Sequence, residues 1–238
     1  MLLLCAVVMV GCGAHHANPV ANVPPPPEAD SSASTGNVPA ASSPVVEPGA
    51  VVPPTAKVIY TETGWASWYG PSYNKRKAAN GEVYDMNGMT AAHRTLPLNS
   101  IARVTNLKTG HSELLRITDR GPFVNDRIID LSRTAAQKLD VYRPGTAKVK
   151  IEVLQSPAPI DRGGRWCIQI GAFKNSEDAA ALKEKLARRY RAAKVLQFTS
   201  PIGQDWLRVR VTEDDKQRAQ ALMQETQTDT PMFLVRLD

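Results

Sequence analysis

The chain changes character near residue 57. Before Lys57 it has no lysine, arginine, phenylalanine, tyrosine or tryptophan, and ten of its 18 prolines fall between Pro19 and Pro54. A segment without aromatic side chains, rich in stretches such as VPPPPEADSSASTG, buries too little apolar surface to offset the entropy of ordering it. A packed core is therefore confined to the last three quarters of the chain. Residues 12–61 read as a disordered Pro/Ser/Ala-rich tether. Its central stretch of roughly 40 residues, at about 3.1 Å each in polyproline geometry, reaches on the order of 130 Å.

The folded part carries all the positive charge. From Lys57 onward 29 basic residues face 20 acidic ones, because Glu28, Asp30 and Glu47 precede it, and the net charge there is +9. Such a balance points to an anionic partner: nucleic acid, a membrane surface or an acidic polysaccharide.

Compartment narrows that choice. The opening MLLLCAVVMVGC is an apolar run of about a dozen residues, short of the roughly 20 needed to span a bilayer, and it has the shape of a signal-peptide core. Its MVGC ending resembles a bacterial lipoprotein signal, which implies a signal peptide over residues 1–11 and a lipid anchor on Cys12. With Gly13 and not aspartate following, the resemblance implies an outer-membrane lipoprotein facing the periplasm. Loss of Cys5 with the signal leaves Cys167 as a lone thiol, so neither a disulfide framework nor a metal-ligand spacing is present. His15 and His16 fall in the tether. No metal and no cofactor is expected.

Residues 62–154 alternate short strands and turns: GWASWYG, MTAAHRTLP, SIARVTNL, HSELLRITDRG and AKVKIEVL. NLKTGHS reads as a hairpin turn with Gly110 at its special dihedral. One helix is marked by a Ser132 cap before RTAAQKLD, with Ala135, Ala136 and Leu139 on one face. Many short strands with one helix predict a small all-β barrel. Residues 155–164, within QSPAPIDRGG, form a second linker.

The rhythm then changes. RWCIQIGAF alternates, with Trp166, Ile168 and Ile170 on one face and Cys167, Gln169 and Gly171 on the other. A helix capped by Asn175 follows, then AKVLQF and WLRVRV. A second helix is expected from a Thr212 cap, and MFLVRL is the last strand. This β-α-β-β-α-β order over residues 165–238 predicts an α+β split sheet with both helices on one face. The other face, carrying Gln169, Trp206, Arg208 and Arg210, is expected to be open. The layout is shared with RNP-type single-stranded RNA binders, but WLRVRV lacks their aromatic pattern and a secreted chain meets little RNA.

Three polar residues of the barrel segment stand out. Asp119 ends the apolar run LLRIT before Arg120-Gly-Pro, where one flank is poorly solvated. A carboxyl acting as a general acid needs a pKa raised above about 3.9, which burial supplies. It also fits a turn-forming aspartate. His93 fits a buried, hydrogen-bonded core histidine or a catalytic partner, and Glu82 fits a loop carboxylate. Spacing alone does not join them.

Resemblance does. The run from GWASWYG through AANGEVYDMNGMTAAHRTLPLNSIARVTNLKTG to RITDRGPFVNDRIIDLSRTAAQKL resembles the double-psi β-barrel of the rare lipoprotein A family. WCIQIGAF with WLRVRV is similar to the sporulation-related (SPOR) repeat. The resemblance implies two domains and a lytic transglycosylase acting on the MurNAc–GlcNAc bond of peptide-free glycan, to give 1,6-anhydroMurNAc ends at the division septum. It implies Asp119 as acid and then base, with Glu82 and His93 as supporting partners. Trp65, Tyr69 and Arg120 are the expected sugar contacts in the barrel, and Gln169, Arg208 and Arg210 those of the SPOR sheet. The 15 basic against 9 acidic residues of 57–154 suit a strand with exposed lactyl carboxylates. The implied partners are denuded glycan, the membrane through Cys12 and septal division proteins, with no nucleic acid. Two other readings stand beside it: a glycan-binding protein without turnover, and a hydrolase pairing Asp119 with Asp130 or Asp126 across about 6.5 to 9.5 Å.

Overall fold

The computed structural model describes residues 56–200 and 202–238. Cys12, the expected signal peptide and the tether up to residue 55 lie outside the described residues. Among the described residues no helix is long and apolar enough to cross a membrane.

Six strands close a barrel: β1 (Tyr60–Trp68), β2 (Thr90–His93), β3 (Ile101–Asn106), β4 (Ser112–Asp119), β5 (Arg127–Leu131) and β6 (Ala147–Gln155), in the order β1-β5-β2-β4-β3-β6. The pairs β1/β5 and β2/β4 are parallel and the rest antiparallel. The period-two pattern of each strand feeds one interior, in which Ala66, Val104, Ile117, Ile129, Leu131, Val149 and Ile151 are fully buried. Helix α1 (Arg133–Lys138) packs on that core through Ala135 and Ala136, and the Ser132 side chain caps it by accepting from the Ala135 amide.

One irregularity positions the candidate site. Leu115, Ile117 and Asp119 alternate on β4, and the first two are core, so strict alternation would carry the carboxylate inward as well. Between Ala91 and Ala92 of β2 the register with β4 shifts, and Ala92 pairs with Asp119 in place of Thr118. A bulge of this kind adds a residue to one strand and re-aims the side chains beyond it.

The second domain is a four-stranded sheet in the order β10-β7-β9-β8, from β7 (Trp166–Phe173), β8 (Lys194–Thr199), β9 (Asp205–Arg210) and β10 (Met232–Arg236). Helices α2 (Ser176–Arg189) and α3 (Lys216–Glu225) bury Ala179, Leu186, Ala219 and Leu222 against Trp166, Ile168, Ile170, Leu207 and Val209. The Asn175 cap is as expected. The second helix is not capped by Thr212. Residues Thr212–Asp214 form a tight turn with Glu213 and Asp214 at φ of 62° and 50°, and Asp215 accepts from the Arg218 amide as the cap. Asp214 is drawn away by Arg210 and Arg165, which donate to its carboxylate at 2.7 and 3.0 Å.

The sheet face expected to be open is covered. Cys167, Trp206, Phe233 and Val235 share one buried cluster with Tyr69, Tyr73, Tyr84, Ala92 and Phe123 of the barrel. Trp206 approaches so near to Gly171 (φ +150°) that a Cβ there would lie 2.5 Å from the indole. Main-chain bonds fasten the seam, Arg236 N to Arg94 O at 2.9 Å and Leu98 N to Asp238 O at 3.2 Å.

Candidate active site

Asp119 stands at the end of β4, partly buried, near enough to Arg208 of the second domain for that charge to act on it. Its Oδ1 accepts the amides of Arg120 at 2.8 Å and Ala79 at 3.1 Å. Its Oδ2 takes part in none of the hydrogen bonds among the described residues. Burial pushes the carboxyl up to about 6, against the two amides and the guanidinium charges of Arg120 and Arg208, which favour the anion. A carboxyl with one oxygen fixed and the other unengaged, titrating near neutrality, is equipped to give a proton and take one back.

His93 is nearly inaccessible, 2% exposed. Its Nδ1 accepts the amides of Thr95 and Leu96 at 3.2 and 3.1 Å, so Nε2 carries the proton and donates to Glu62 Oε2 at 3.1 Å. Burial holds the imidazole below its usual value despite Glu62. Tyr60 also donates to Glu62 Oε2, at 2.9 Å. The described hydrogen bonds thus join His93 to Glu62, and not to Asp119 or Glu82. Nothing in TETGW flags Glu62 beyond its place in an alternating strand, and its partner is 31 residues away.

Glu82 lies on the loop that carries Ala79. Arg116 donates to both of its carboxylate oxygens at 2.6 Å and holds it below the usual range. The loop closes on itself through Ala78 N to Glu82 O at 2.8 Å and on β4 through Asn80 N to Thr118 O at 3.1 Å. Glu82 therefore reaches Asp119 through the main chain at Ala79 and not side chain to side chain.

Three tyrosines pack beside the carboxylate. Tyr69 contacts Tyr84 at 4.6 Å and Tyr73 at 6.2 Å between ring centroids. Burial, with the nearby charges of Asp119 and Asp130, holds all three phenols above their usual value. Tyr69, expected as a sugar contact, is 2% exposed, whereas Trp65 is 46% exposed on the barrel wall. Asp130 is fully enclosed, accepting from Ser67 Oγ at 2.7 Å with Arg127 Nε at 3.7 Å. Asp126 is exposed on the turn before β5, at φ 68°.

Arg120 turns away from solvent. Its guanidinium donates to the carbonyls of His93 and Leu96 at 3.0 and 2.7 Å and to the main-chain oxygen of Asp238 at 2.6 Å. Gln169 and Arg208 are 0% and 7% exposed and bond to each other at 3.0 Å. Arg210, at the margin of the sheet, pairs with Asp214. Among the described residues no cluster of His, Cys, Asp or Glu is arranged to hold a metal ion. A groove of about 980 Å³ lies elsewhere, between linker residues such as Pro157 and Ile160 and the second domain at Trp166 and Lys216.

Residues 61–151 match the family described as lytic transglycolase, and residues 163–230 match the SPOR domain. Curated relatives include the endolytic peptidoglycan transglycosylase RlpA of Campylobacter jejuni, 39% identical over 171 residues that cover 62% of this chain and 61% of that protein. The protein of the same name from Neisseria meningitidis is 47% identical over 133 residues, covering 55% of this chain and 56% of that one. That of Pseudomonas aeruginosa is 57% identical over 93 residues, covering 39% and 27%. The chain thus spans 61% and 56% of the length of the first two relatives. With a six-stranded barrel matched over residues 61–151 and followed by a SPOR sheet matched up to residue 230, just before β10, the chain belongs to the rare lipoprotein A family.

Proposed function

We propose that this protein is a lytic transglycosylase of peptidoglycan that cuts the MurNAc–GlcNAc bond in glycan strands stripped of their peptides. The observation that carries the reading is Asp119, raised by burial to about 6 with Oδ2 unengaged. Protonated, it gives its proton to the glycosidic oxygen as the bond to the muramic C1 breaks. As the carboxylate, it then takes the proton of the muramic C6 hydroxyl, whose oxygen attacks C1 and closes the 1,6-anhydro ring. The catalytic proton returns to Asp119 and no water is consumed.

Glu82 and His93 act as positioning residues. Glu82 holds the loop whose Ala79 amide fixes the carboxylate, and His93 holds the Glu62 pair and, through its carbonyl, Arg120. The preference for stripped strands follows from the basic barrel meeting exposed lactyl carboxylates. A lipid on Cys12 and a long tether place the enzyme at the outer membrane, and the SPOR domain brings it to septal glycan.

The test is to incubate residues 57–238 and their Asp119→Asn variant with intact and amidase-stripped sacculi, and to identify products by mass spectrometry. Anhydro-ended fragments from stripped material, absent with the variant, are expected. Reducing ends would mean a hydrolase, and binding without release would mean a glycan-binding protein without turnover.

A further inference from the structure

Asp119 is partly buried beside the seam of the two domains. Along the chain it is followed by Arg120, which donates to Asp238 at the end of the second domain, and by Phe123, whose ring lies 5.7 Å from Trp206 and 5.8 Å from Phe233. Across the barrel sheet its register partner Ala92 belongs to the cluster that holds Cys167, Trp206 and Val235. Arg208 is close enough for its charge to act on the carboxyl. The docked sheet therefore borders the carboxyl, and a strand of linked sugars laid across Asp119 toward Phe123 meets that sheet while the seam is shut.

The seam is also poorly satisfied. Arg208 Nε, Gln169 Nε2 and Trp206 Nε1 on the SPOR side are buried without a hydrogen-bond partner, as is the Tyr73 hydroxyl on the barrel side. Buried polar groups left unpaired cost stability. A permanent interface would pair them, whereas one that opens recovers this cost when water or a ligand supplies acceptors. The free groups on the sheet are donors, and the hydroxyl and carboxylate oxygens of a glycan strand are acceptors.

We propose that the SPOR sheet is a lid over Asp119, shut by the Phe123–Trp206–Phe233 seam and lifted when peptide-free glycan occupies the sheet face. The choice of glycan as the releasing ligand rests on the function proposed above, and the closed seam rests on the contacts alone. The enzyme is then silent until its binding domain meets the strand that its barrel cuts.

Cys167 reports the state of the seam, because it is fully buried within it. Residues 56–238 hold every described element and retain no other cysteine. The rate of thiol labelling of that protein is measured with and without peptide-free glycan strands, beside Phe233→Asp and Phe123→Asp, which break the seam from opposite sides. Both charges fall on faces that become solvated on opening, and circular dichroism identifies a variant that has lost its fold. Labelling is expected to be slow in the parent and about tenfold faster or more with glycan or in either folded variant. Phe233→Asp is also expected to release anhydro fragments several-fold faster than the parent. Parent labelling as fast as in denaturant, or labelling unmoved by glycan, would overturn the lid, as would an opened Phe233→Asp with unchanged turnover. If no protein turns over glycan, the transglycosylase reading fails and the labelling rates alone decide the lid.

Discussion

The main-chain amide of Ala79 lies 3.1 Å from Oδ1 of Asp119, a bond between residues 40 apart in sequence. It decides which carboxyl oxygen is held and which is left for chemistry. With the carboxyl raised to about 6, its protonated fraction falls about tenfold per pH unit above that value. Turnover of stripped glycan is therefore expected to decline along that limb, and Asp119→Asn to lose about 10² to 10⁴-fold. A rate as high at pH 8 as at pH 5 would remove Asp119 as the acid.

The same shift has a thermodynamic side. A carboxyl whose pKa is higher in the folded protein than in the unfolded chain stabilises the fold below the unfolded value. That contribution is lost as pH rises through the interval from 3.8 to about 6. Asp119→Asn removes a charge that the fold tolerates poorly at neutral pH and is isosteric with the acid. It is expected to raise the melting temperature by a few degrees at pH 8, with the gain vanishing near pH 4. The reverse ordering would show that the carboxylate is structurally required.

Glu82 separates positioning from stability. Its side chain is 53% exposed, so the Arg116 pair is expected to contribute less than about 1 kcal/mol. Glu82→Ala releases the loop that carries Ala79 and is expected to lower kcat about tenfold with little change in KM or melting temperature, the scale of one misplaced catalytic group. A variant that melts much earlier would recast Glu82 as a residue of the fold.

Ser67 and Asp130 form the opposite case. Their 2.7 Å bond is wholly buried, and Ser67→Ala leaves a buried carboxylate oxygen unpaired at a cost of about 1 to 3 kcal/mol. Chemical denaturation of the variant is expected to show that loss at neutral pH. Because burial already raises the Asp130 carboxyl, the loss should shrink in acid as the group protonates. A loss unchanged with pH would mean that packing, not the hydrogen bond, was removed.

Much of this architecture is legible in the sequence because it is local. The caps at Ser132 and Asn175 are read from a side chain and the apolar stripe after it, and the strands from alternation. The Thr212 start erred because TEDD offers several capping side chains, and only the folded pairing of Arg210 and Arg165 with Asp214 leaves Asp215 to cap. The alternation of WLRVRV correctly separated Trp206 and Arg208 from Leu207 and Val209. It carried no information on what covers the first pair. Contacts such as Arg120 to Asp238, 118 residues apart, leave no period in the chain, so the sheet docked beside the site was invisible where the catalytic candidate was not.

The linker that joins the two domains has a kinetic meaning. Only residues 156–165 separate the end of β6 from the start of β7, a span of at most about 35 Å when fully extended. An undocked sheet on so short a leash faces the barrel at an effective concentration in the millimolar range. Reclosing is thus unimolecular, indifferent to how many copies the cell makes, and outrun only where strands are locally dense. The protein would read the crowding of bare glycan around it, and not its own abundance.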